Sequence, residues 1–523
     1  MTEYVVTPEQ MKTAEQGCEK YSISLATLMD NAGAAVADLA LKLLKEPEKA
    51  EIMVLCGGGN NGGDGYVAAK LLSKVCARVN VTALSEPSTE LCRNAYERCR
   101  ANISGELYTD MYDTDSICDH IYNADIIIDC IFGTGFHGEI EPVENTEELR
   151  FRVALRPITR IINASNESCA TRLSVDIPSG CNALTGEVAG CAFRADYTLS
   201  LGAYKTGHIH SPCSDYCGEL VLADIGIPDN AYEEYTAVIN SEKDFAAKLP
   251  ARRRISHKGD YGRLLNIAGS ENYVGAAWLS TNAALHVGTG LVTLCSVKSV
   301  TTAVSITLHE STYLPLTDRA HIENEHINDI LSAAENATAV LIGCGTGCSE
   351  DIARITTSLI KYAGCPVIID ADGLNSIALH INEIKDNNGM VILTPHLKEF
   401  SRLSGLDMGY IQKNKLDVAR LFAKQYNVHL LLKDAYSVYA APDGFTAVNL
   451  SGNDALAKAG SGDTLAGTIA GLIASGAGIN DGVTAGAYLF GKSAELAAET
   501  HDTRSILPSL LPSEYGRIIK SIV

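Results

Sequence analysis

Late in the chain, an aspartate stands at the end of a glycine-rich turn that opens an apolar stretch of small residues. Asp463 ends the turn 460–463, and residues 464–472 are typical of a helix packed against a sheet. Glycines before a helix start let several backbone N–H groups point at one place, where the helix dipole also favours negative charge. Because a carboxylate repels phosphate, its better use there is to accept the proton of a hydroxyl that attacks a bound phosphorus. Taken alone, the turn is explained equally well by an aspartate that caps the helix.

Two more aspartates lie near the carboxyl ends of apolar, strand-like stretches in the first half of the chain. Asp129 belongs to the stretch 124–132, and Asp176 ends the stretch 173–176, shortly before Pro178. Because parallel strands open onto one crevice at their carboxyl ends, these side chains are expected to meet there. We favour Asp176 as a general acid or base. The alternative is an Asx-turn in which Asp176 holds Pro178 and Ser179 in place.

A loop rich in glycine and asparagine follows another strand-like stretch. The strand is predicted at 51–56, the loop at 57–65 and a helix at 66–72. The loop satisfies the Gly-x-Gly-x-x-Gly pattern, so a dinucleotide loop of a dehydrogenase is an alternative. That match is weak, because the asparagines and Asp64 place polar side chains at the start of the helix. A dinucleotide-binding loop normally has no such side chains there, so that the pyrophosphate can approach the backbone.

Three oxygen-bearing side chains of these loops suit a hard monovalent cation. They are the amide of Asn61, the carboxylate of Asp129 and the hydroxyl of Ser179. Oxygen ligands are the ones that such ions prefer. An equally good account is that Asn60 and Asn61 are left-handed turn residues.

A lysine follows a fourth strand-like stretch of the first half, residues 197–201. Lys205 could bind a substrate phosphate. We favour a solvated lysine on the surface, because lysine is almost never fully buried unless it is paired.

The second half of the chain carries further polar residues at predicted strand ends. His396, after the strand 390–394, is either a structural histidine or a substrate donor. Residues 433–437 predict a hairpin that could lie over an adenine or a ribose. Asp370 and Asp372 are candidates for contact with Mg²⁺ through water, with helix capping as the alternative.

The elements that must position these residues are strands that alternate with glycine-containing loops and helices. This pattern predicts an α/β protein with parallel sheets. We expect a first domain over residues 1–228, a linker over 229–245 and a second domain with a larger sheet over 246–523.

The amino-acid composition excludes some classes of binding partner and of metal site. The formal net charge of −21 argues against nucleic acid or an anionic membrane surface. The sequence predicts no signal peptide and no transmembrane segment, so we expect a cytoplasmic protein. The 16 cysteines include no Cys-x-x-Cys pair, and the closest pairs are Cys213 with Cys217 and Cys344 with Cys348. Reduced, mostly buried thiols are expected rather than a zinc site.

Together, these residues resemble the bifunctional NAD(P)H-hydrate repair enzymes, in which an epimerase domain precedes a dehydratase domain. The resemblance covers nearly the whole chain, in order. It implies a Rossmann-like, three-layer αβα first domain and a ribokinase-like α/β second domain. The matching motifs are residues 28–33, 60–65, 129, 132–135 and 176–180, and then 257–259, 269–270, 275–277, 394–396, 452–453 and 460–463.

The resemblance implies repair of NADH or NADPH whose nicotinamide ring has taken up water. The first domain would interconvert the R and S hydrates, with K⁺ at Asn61, Asp129 and Ser179. The second would dehydrate the S hydrate with ADP and Mg²⁺, releasing AMP and phosphate. Asp176 and Asp463 are the implied catalytic residues. We expect a homo-oligomer whose partners are small molecules.

The implied binding residues form three groups. Substrate would contact Asn60, Asn61, Gly62, Gly63, Asp64, Gly133, Thr134, Gly135, Phe136, His137, Gly138, Glu139 and Asp176 in the first domain, and Ala276, Ala277, Gly345, His396 and Asp463 in the second. The nucleotide would contact Lys433, Asp434, Ala435, Tyr436, Ser437, Gly460, Ser461 and Gly462.

The chain departs from the family's pattern at a few positions. Cys344 and Thr346 stand where the family usually has Pro and Leu, Asp434 where a glycine is common, and Asp30 where Glu is usual. The first three leave the nucleotide contacts open. Two rivals from other classes remain: a small-molecule kinase, since ribokinase-like folds carry the same turn, and a first domain that only binds a partner.

Overall fold

The computed structural model describes residues 2–110, 113–136, 157–188, 190–385 and 387–522. The chain divides into two compact units, Met1–Thr236 and Ala237–Val523. Both are built from alternating strands and helices, which confirms the predicted α/β class. The assignment of separate functions to residues 1–228 and 246–523 stays a prediction.

The first unit is built on a parallel sheet. The strands of this unit are β1 Tyr4–Val6, β2 Glu51–Cys56, β3 Arg78–Ala83, β4 Leu107–Tyr108, β5 Ile126–Cys130, β6 Thr171–Val175, β7 Tyr197–Leu201, β8 Tyr204–Lys205 and β9 Glu219–Ala223. The order of the strands in the sheet is β4-β3-β2-β5-β6-β7-β9. The two other strands, β1 and β8, pair with each other in parallel. The helices are α1 Pro8–Gly17, α2 Leu25–Leu43, α3 Asn60–Leu72, α4 Glu90–Arg100, α5 Thr114–Asn123, α6 Pro157–Glu167 and α7 Thr206–Ile209.

Both faces of this sheet are buried. Along β2, Ile52 and Val54 belong to one apolar cluster, and Met53 and Leu55 belong to another. This alternation follows from the two-residue period of a strand. A sheet with helices on both faces needs strands that are apolar in both directions, as the runs at β2 and β5 are.

The second unit has a larger sheet. Its strands are β10 Ala237–Ile239, β11 Arg263–Ile267, β12 Leu291–Ser296, β13 Thr312–Pro315, β14 Ala339–Ile342, β15 Val367–Ile369, β16 Val391–Leu393, β17 His429–Leu432, β18 Ser437–Ala440 and β19 Thr446–Asn449. The strand order is β13-β12-β11-β14-β15-β16-β17-β18-β19-β10. Strand β18 runs antiparallel to both of its neighbours.

Helices connect most of these strands. They are α8 Glu242–Lys248, α9 Val274–His286, α10 Lys298–Ser305, α11 Ile327–Ala334, α12 Glu350–Tyr362, α13 Ala371–Ile377, α14 Leu397–Ser404, α15 Met408–Lys413, α16 Lys415–Tyr426, α17 Ser461–Ala474, α18 Ile479–Ala498 and α19 Leu511–Ile522. Within the described ranges, no helix combines the length and the apolar character needed to cross a membrane. The cysteines there are free thiols, and most are buried.

Candidate active sites

In the first unit, Asp176 directly follows β6 in a backbone conformation that few residues adopt. Its φ is 69°, in the left-handed region, and such strain persists only where the surroundings fix it. His208 fixes it here, since its Nε2–H donates to the carbonyl oxygen of Asp176 (2.8 Å) while its Nδ1 accepts from the N–H of Lys205 (3.1 Å). Burial, and then the nearby Lys205, lower the pKa of His208 to about 4, so the ring is neutral.

The Asp176 carboxylate is paired with a buried lysine. The Lys205 side chain is fully buried, and its ammonium binds the Asp176 carboxylate. It also donates to the carbonyl oxygen of Leu201 (3.0 Å) and to Oγ of Ser200 (3.3 Å). The prediction of a solvated lysine is therefore wrong, because partners on all sides offset the loss of water. Among the described residues, the Asp176 side chain binds Lys205 and the N–H of Leu201, so it does not form the predicted turn around Pro178. Sequence reasoning missed Lys205 and His208 as partners of Asp176.

Two further carboxyls lie within electrostatic reach of this pair. Burial, followed by the charges of Asp176 and Glu15, raises the pKa of Asp64 on α3 well above its usual value. Burial and Asp176 raise the pKa of Glu15 on α1 to about 7. Three carboxyls therefore share one lysine, and the site can hold a proton near neutral pH. Sequence reasoning missed Glu15, which no local motif marks.

The three residues predicted to hold a cation come together beside this site. Ser179 donates from Oγ to one carboxylate oxygen of Asp129 (2.6 Å) and from its N–H to the other (2.8 Å). The Asn61 amide nitrogen donates to the carbonyl oxygens of Phe132 (3.0 Å) and Val175 (3.3 Å). Asn61 Oδ1 is buried without a hydrogen-bond partner in the part of the chain that the structure describes. This oxygen-only set, with a fully buried carboxyl whose pKa burial raises to about 6, fits a hard cation.

The glycine loop before α3 is shaped by close backbone contacts. A β-carbon at Gly57 would lie 1.9 Å from the carbonyl oxygen of Ile131, and one at Gly62 would lie 1.9 Å from that of Gly57. Asn60 and Asn61 are the first residues of α3, so the left-handed turn interpretation of these asparagines is wrong.

The structure brings part of the predicted substrate set together. A β-carbon at Gly133 would lie 3.1 Å from the β-carbon of Asn61, so Gly133 lies against Asn61. Phe136 stacks on Phe132 with ring centroids 4.6 Å apart. Thr134 and Gly135 lie in the turn between them. The predicted residues His137, Gly138 and Glu139 lie outside the described residues.

In the second unit, Asp463 lies in the first turn of α17 and does not cap it. The N-cap residue is Gly460, with φ 93°, and no side chain caps the helix there. Capping is therefore the wrong interpretation of Asp463. Burial, and next the charge of Asp370, raise the pKa of Asp463 to about 6, which brings the carboxyl near the range of a useful general base.

A lysine–aspartate pair lies against the start of α17. The Lys433 ammonium binds Asp370 (2.7 Å), which also accepts from Oγ1 of Thr394 (2.8 Å). A β-carbon at Gly462 would lie 3.4 Å from Nζ of Lys433 and 3.7 Å from a carboxylate oxygen of Asp370. Ser461 Oγ is buried without a hydrogen-bond partner among the described residues. The helix start, the free hydroxyl and the ammonium together make a site for an anion.

The hairpin predicted over residues 433–437 joins β17 to β18. The buried Lys415 pairs with Asp434 (2.7 Å), so the cation that balances Asp434 is Lys415. Oγ of Ser437 donates to the carbonyl oxygen of Asp434 (3.0 Å) and closes the turn, in which Ala435 and Tyr436 lie.

His396 serves first as a helix cap. Its Nδ1 accepts from the N–H groups of Lys398 (3.1 Å) and Glu399 (3.2 Å), and its own N–H donates to Glu399 (2.9 Å). The side chain remains half exposed. Burial and the nearby Lys433 lower the pKa of His396, so it lies within electrostatic reach of the Asp370–Lys433 pair.

The remaining predicted substrate residues of the second unit line the loop after β14. A β-carbon at Gly345 would lie 2.7 Å from the β-carbon of Tyr273 and 2.8 Å from that of Ala276. Ala277 is buried next to Gly269. The N–H of Gly347, in the same loop, donates to Asp372 (2.9 Å), while Asp370, the N-cap residue of α13, makes no capping hydrogen bond.

Two protein-family models match this chain. Residues 264–517 match NAD(P)H-hydrate dehydratase, and residues 25–207 match the YjeF-related protein N-terminus. The first match contains Asp463, Asp370 and Lys433, and the second contains Asp176 and Asp129.

Similar proteins cover almost the whole chain. The bifunctional NAD(P)H-hydrate repair enzyme Nnr of Thermofilum pendens is 35% identical over 489 residues, which is 92% of this chain and 90% of that protein. The enzyme of the same name from Moorella thermoacetica is 32% identical over 522 residues, which is 96% of this chain and 94% of that protein.

A solved structure matches part of the chain. It is a crystal structure of the ADP/ATP-dependent NAD(P)H-hydrate dehydratase of Bacillus subtilis, co-crystallized with ATP/Mg²⁺. It is 32% identical and covers 55% of this chain and 98% of that one, with a TM-score of 0.48. The chain belongs to the family of bifunctional NAD(P)H-hydrate repair enzymes.

Proposed function

We propose that this protein repairs NADH and NADPH whose nicotinamide ring has taken up water, using one site in each unit. The first unit interconverts the R and S hydrates. The second dehydrates the S hydrate at the expense of ADP and releases AMP and phosphate. The observation that carries the proposal is that each unit holds a carboxyl in a polar cluster at the carboxyl end of its parallel strands, Asp176 in the first and Asp463 in the second.

For epimer exchange, Asp176 first takes a proton from Glu15 or Asp64, whose pKa values are raised. It then gives that proton to the ring hydroxyl, and water leaves as the ring nitrogen donates its electron pair. Water then returns on the other face and gives a proton back to the carboxylate. Lys205 stabilises the carboxylate while the proton is away. Asp64 and Glu15, whose pKa values are raised, are positioned to hold a proton near the same carboxyl.

K⁺ fits beside this site. Asn61, Asp129 and Ser179 would hold it, since Ser179 and Asp129 are hydrogen-bonded to each other and Asn61 Oδ1 is otherwise unsatisfied among the described residues. When bound, K⁺ supplies positive charge near the leaving and returning water. The residues predicted to surround the substrate include Asn61 itself and Gly133, which lies against it.

For dehydration, hydroxide is a poor leaving group and phosphate is a better one. Asp463 takes the proton of the ring hydroxyl, whose oxygen then attacks the β-phosphorus of ADP while the bond to the AMP oxygen breaks. The backbone N–H groups of Gly460 and Gly462 and the Lys433 ammonium would face the charge that develops on the phosphoryl oxygens. Phosphate then leaves the ring with its bonding electrons, and loss of a ring proton restores the double bond.

Mg²⁺ is compatible with the residues beside the anion site. Asp372 would face the Mg²⁺ ion, and Asp370 would contact the ion through water. The direct contact of Asp370 is with the Lys433 ammonium. Mg²⁺ supplies charge neutralisation to the nucleotide phosphates when bound. The nucleotide would extend from the start of α17 toward Lys433–Ser437, and His396, Ala276, Ala277 and Gly345 would meet the nicotinamide side.

We also propose that the protein is a cytoplasmic homo-oligomer that acts on small molecules. The net charge of −21 supports small molecules as the partners, because it repels nucleic acid and anionic membrane surfaces. Analytical ultracentrifugation tests the oligomer, and a single monomeric species at micromolar concentration would contradict it.

The test is to incubate the full chain with a mixture of R and S hydrates. With ADP, both epimers should disappear and nicotinamide absorbance should return. Without nucleotide, only epimer exchange should remain. Accumulation of a stable phosphorylated hydrate would instead identify a kinase.

The variant Asp176→Asn separates the two halves. It should abolish epimer exchange and leave dehydration of pure S hydrate intact, because the amide cannot give up a proton at this site. Equal loss of both activities would refute the assignment of Asp176.

A further inference from the structure

Cys344 lies in the loop after β14, and its backbone is fixed from both sides. Its carbonyl oxygen accepts a hydrogen bond from the N–H of Gly269 (2.8 Å), and that of Gly345 accepts from Oγ of Ser270 (2.9 Å). Gly343 and Gly345 flank it with φ of 117° and 66°, so the loop turns sharply at this point. The Cys344 side chain is fully buried and is therefore held in one direction.

The thiol faces the carboxyls of the second site. Sγ of Cys344 and one oxygen each of Asp370 and Asp463 lie within 4.8 Å of one another. Burial and the nearby carboxylates raise the pKa of the thiol well above its usual value, so it is an S–H donor at neutral pH. Asp370 already accepts from Lys433 and Thr394. The Asp463 carboxylate, which forms no ion pair among the described residues, lies beside this thiol.

We propose that Cys344 is a positioning residue for dehydration: its S–H holds the Asp463 carboxylate toward the hydroxyl that this carboxylate deprotonates. This inference rests on the proposed function of Asp463 as the base. A thiol is a weak donor, so it orients the carboxylate while leaving it more basic than a lysine partner would. The lysine of the site binds the neighbouring Asp370 instead.

The experiment compares Cys344→Ala and Cys344→Ser in the full chain, with pure S hydrate and ADP. The alanine variant should lower kcat about tenfold, with the KM values for ADP and for the hydrate within about twofold, because the orientation of a base acts in the transition state. The serine variant keeps a donor and should hold kcat within about threefold of the unmodified protein.

A matched control is Cys295→Ala. Cys295 lies on β12 and is also fully buried, so the same atoms are removed from the core of the same unit. Its kcat for dehydration should be unchanged, while its thermal unfolding reports the loss of packing alone. The inference is overturned if Cys344→Ala keeps the kcat of the unmodified protein, or if Cys344→Ser loses as much as Cys344→Ala. Dehydration by Asp463→Asn at an undiminished rate would instead overturn the proposed function itself.

Discussion

Each of the two candidate sites contains a carboxyl and a lysine, but the lysines bind different partners. In the first unit Lys205 binds Asp176, the carboxyl that we assign to the chemistry. In the second, Lys433 binds the neighbouring Asp370, and the buried thiol of Cys344 lies beside Asp463. The pKa of Asp463, raised to about 6 by burial and by Asp370, reflects that difference.

The difference matches what each reaction asks of its carboxyl. In epimer exchange, Asp176 must give and regain a proton within one cycle. A permanent cation beside it stabilises the ionised carboxylate that forms after the proton has left. In phosphoryl transfer, Asp463 must accept a proton while the ammonium is needed on the phosphate side. Because Lys433 reaches both Asp370 and the start of α17, one lysine can be held by a carboxylate and still face an anion.

The largest expected effect comes from removing the lysine of the first site. Lys205→Met leaves Asp176 without its counter-charge, and breaking such a buried pair typically costs about 3–5 kcal/mol. Epimer exchange should fall at least about 100-fold, while dehydration of pure S hydrate is retained. Chromatographic separation of the epimers measures the exchange, and thermal unfolding measures the stability.

The matched variant in the second unit is Lys415→Met. Lys415 is also buried and paired, with Asp434, but it lies in the other unit. Epimer exchange should survive this change. A normal rate of exchange in Lys205→Met would contradict the proposed role of the first ion pair.

The pH dependence of dehydration gives the next largest effect. A base must be deprotonated to act, and the Asp463 pKa is raised to about 6. Below that pH, kcat/KM for S hydrate and ADP should fall about tenfold for each pH unit. Above it, kcat/KM should become independent of pH. Pure S hydrate keeps the epimerase out of the measurement. A rate that stays flat down to about pH 5 would show that Asp463 keeps an ordinary carboxyl pKa.

A smaller effect is expected from a single methyl group at the anion site. In Gly462→Ala the new β-carbon would lie in contact with Nζ of Lys433, at 3.4 Å, and would take up space where we place the phosphates. The KM for ADP should rise about three- to tenfold, because a small misplacement of a bound group is enough. Gly516→Ala on α19 is the control, since a β-carbon there meets nothing within 4 Å. An unchanged KM for ADP in Gly462→Ala would place the phosphates elsewhere.

Local chemistry made several elements predictable from the sequence. The turn before α17, the loop before α3 and the hairpin at 433–437 follow from glycine placement and apolar runs, which act over a few residues. The short edge strand β13, Thr312–Pro315, was not predicted, because it is half exposed and has no marked alternation.

The partners of the candidate site residues could not be predicted in the same way. Lys205 lies 29 residues from Asp176, and Lys433 lies 63 residues from Asp370. Cys344 reaches Asp463 across an even longer separation. Such pairings depend on which strands are neighbours in the sheet, and the sequence pattern alone leaves them open. The surface assignment of Lys205 failed for this reason.

The most direct test of the central claim, that two separate carboxyl sites act in series, is a complementation assay with pure R hydrate and ADP. The unmodified protein should restore nicotinamide absorbance, whereas Asp176→Asn and Asp463→Asn should each fail beyond the spontaneous background measured without protein. A mixture of the two variants should restore it, because one variant supplies S hydrate to the other. If the mixture fails while each variant still folds, or if either variant alone converts R hydrate at the unmodified rate, the division of labour between Asp176 and Asp463 is contradicted.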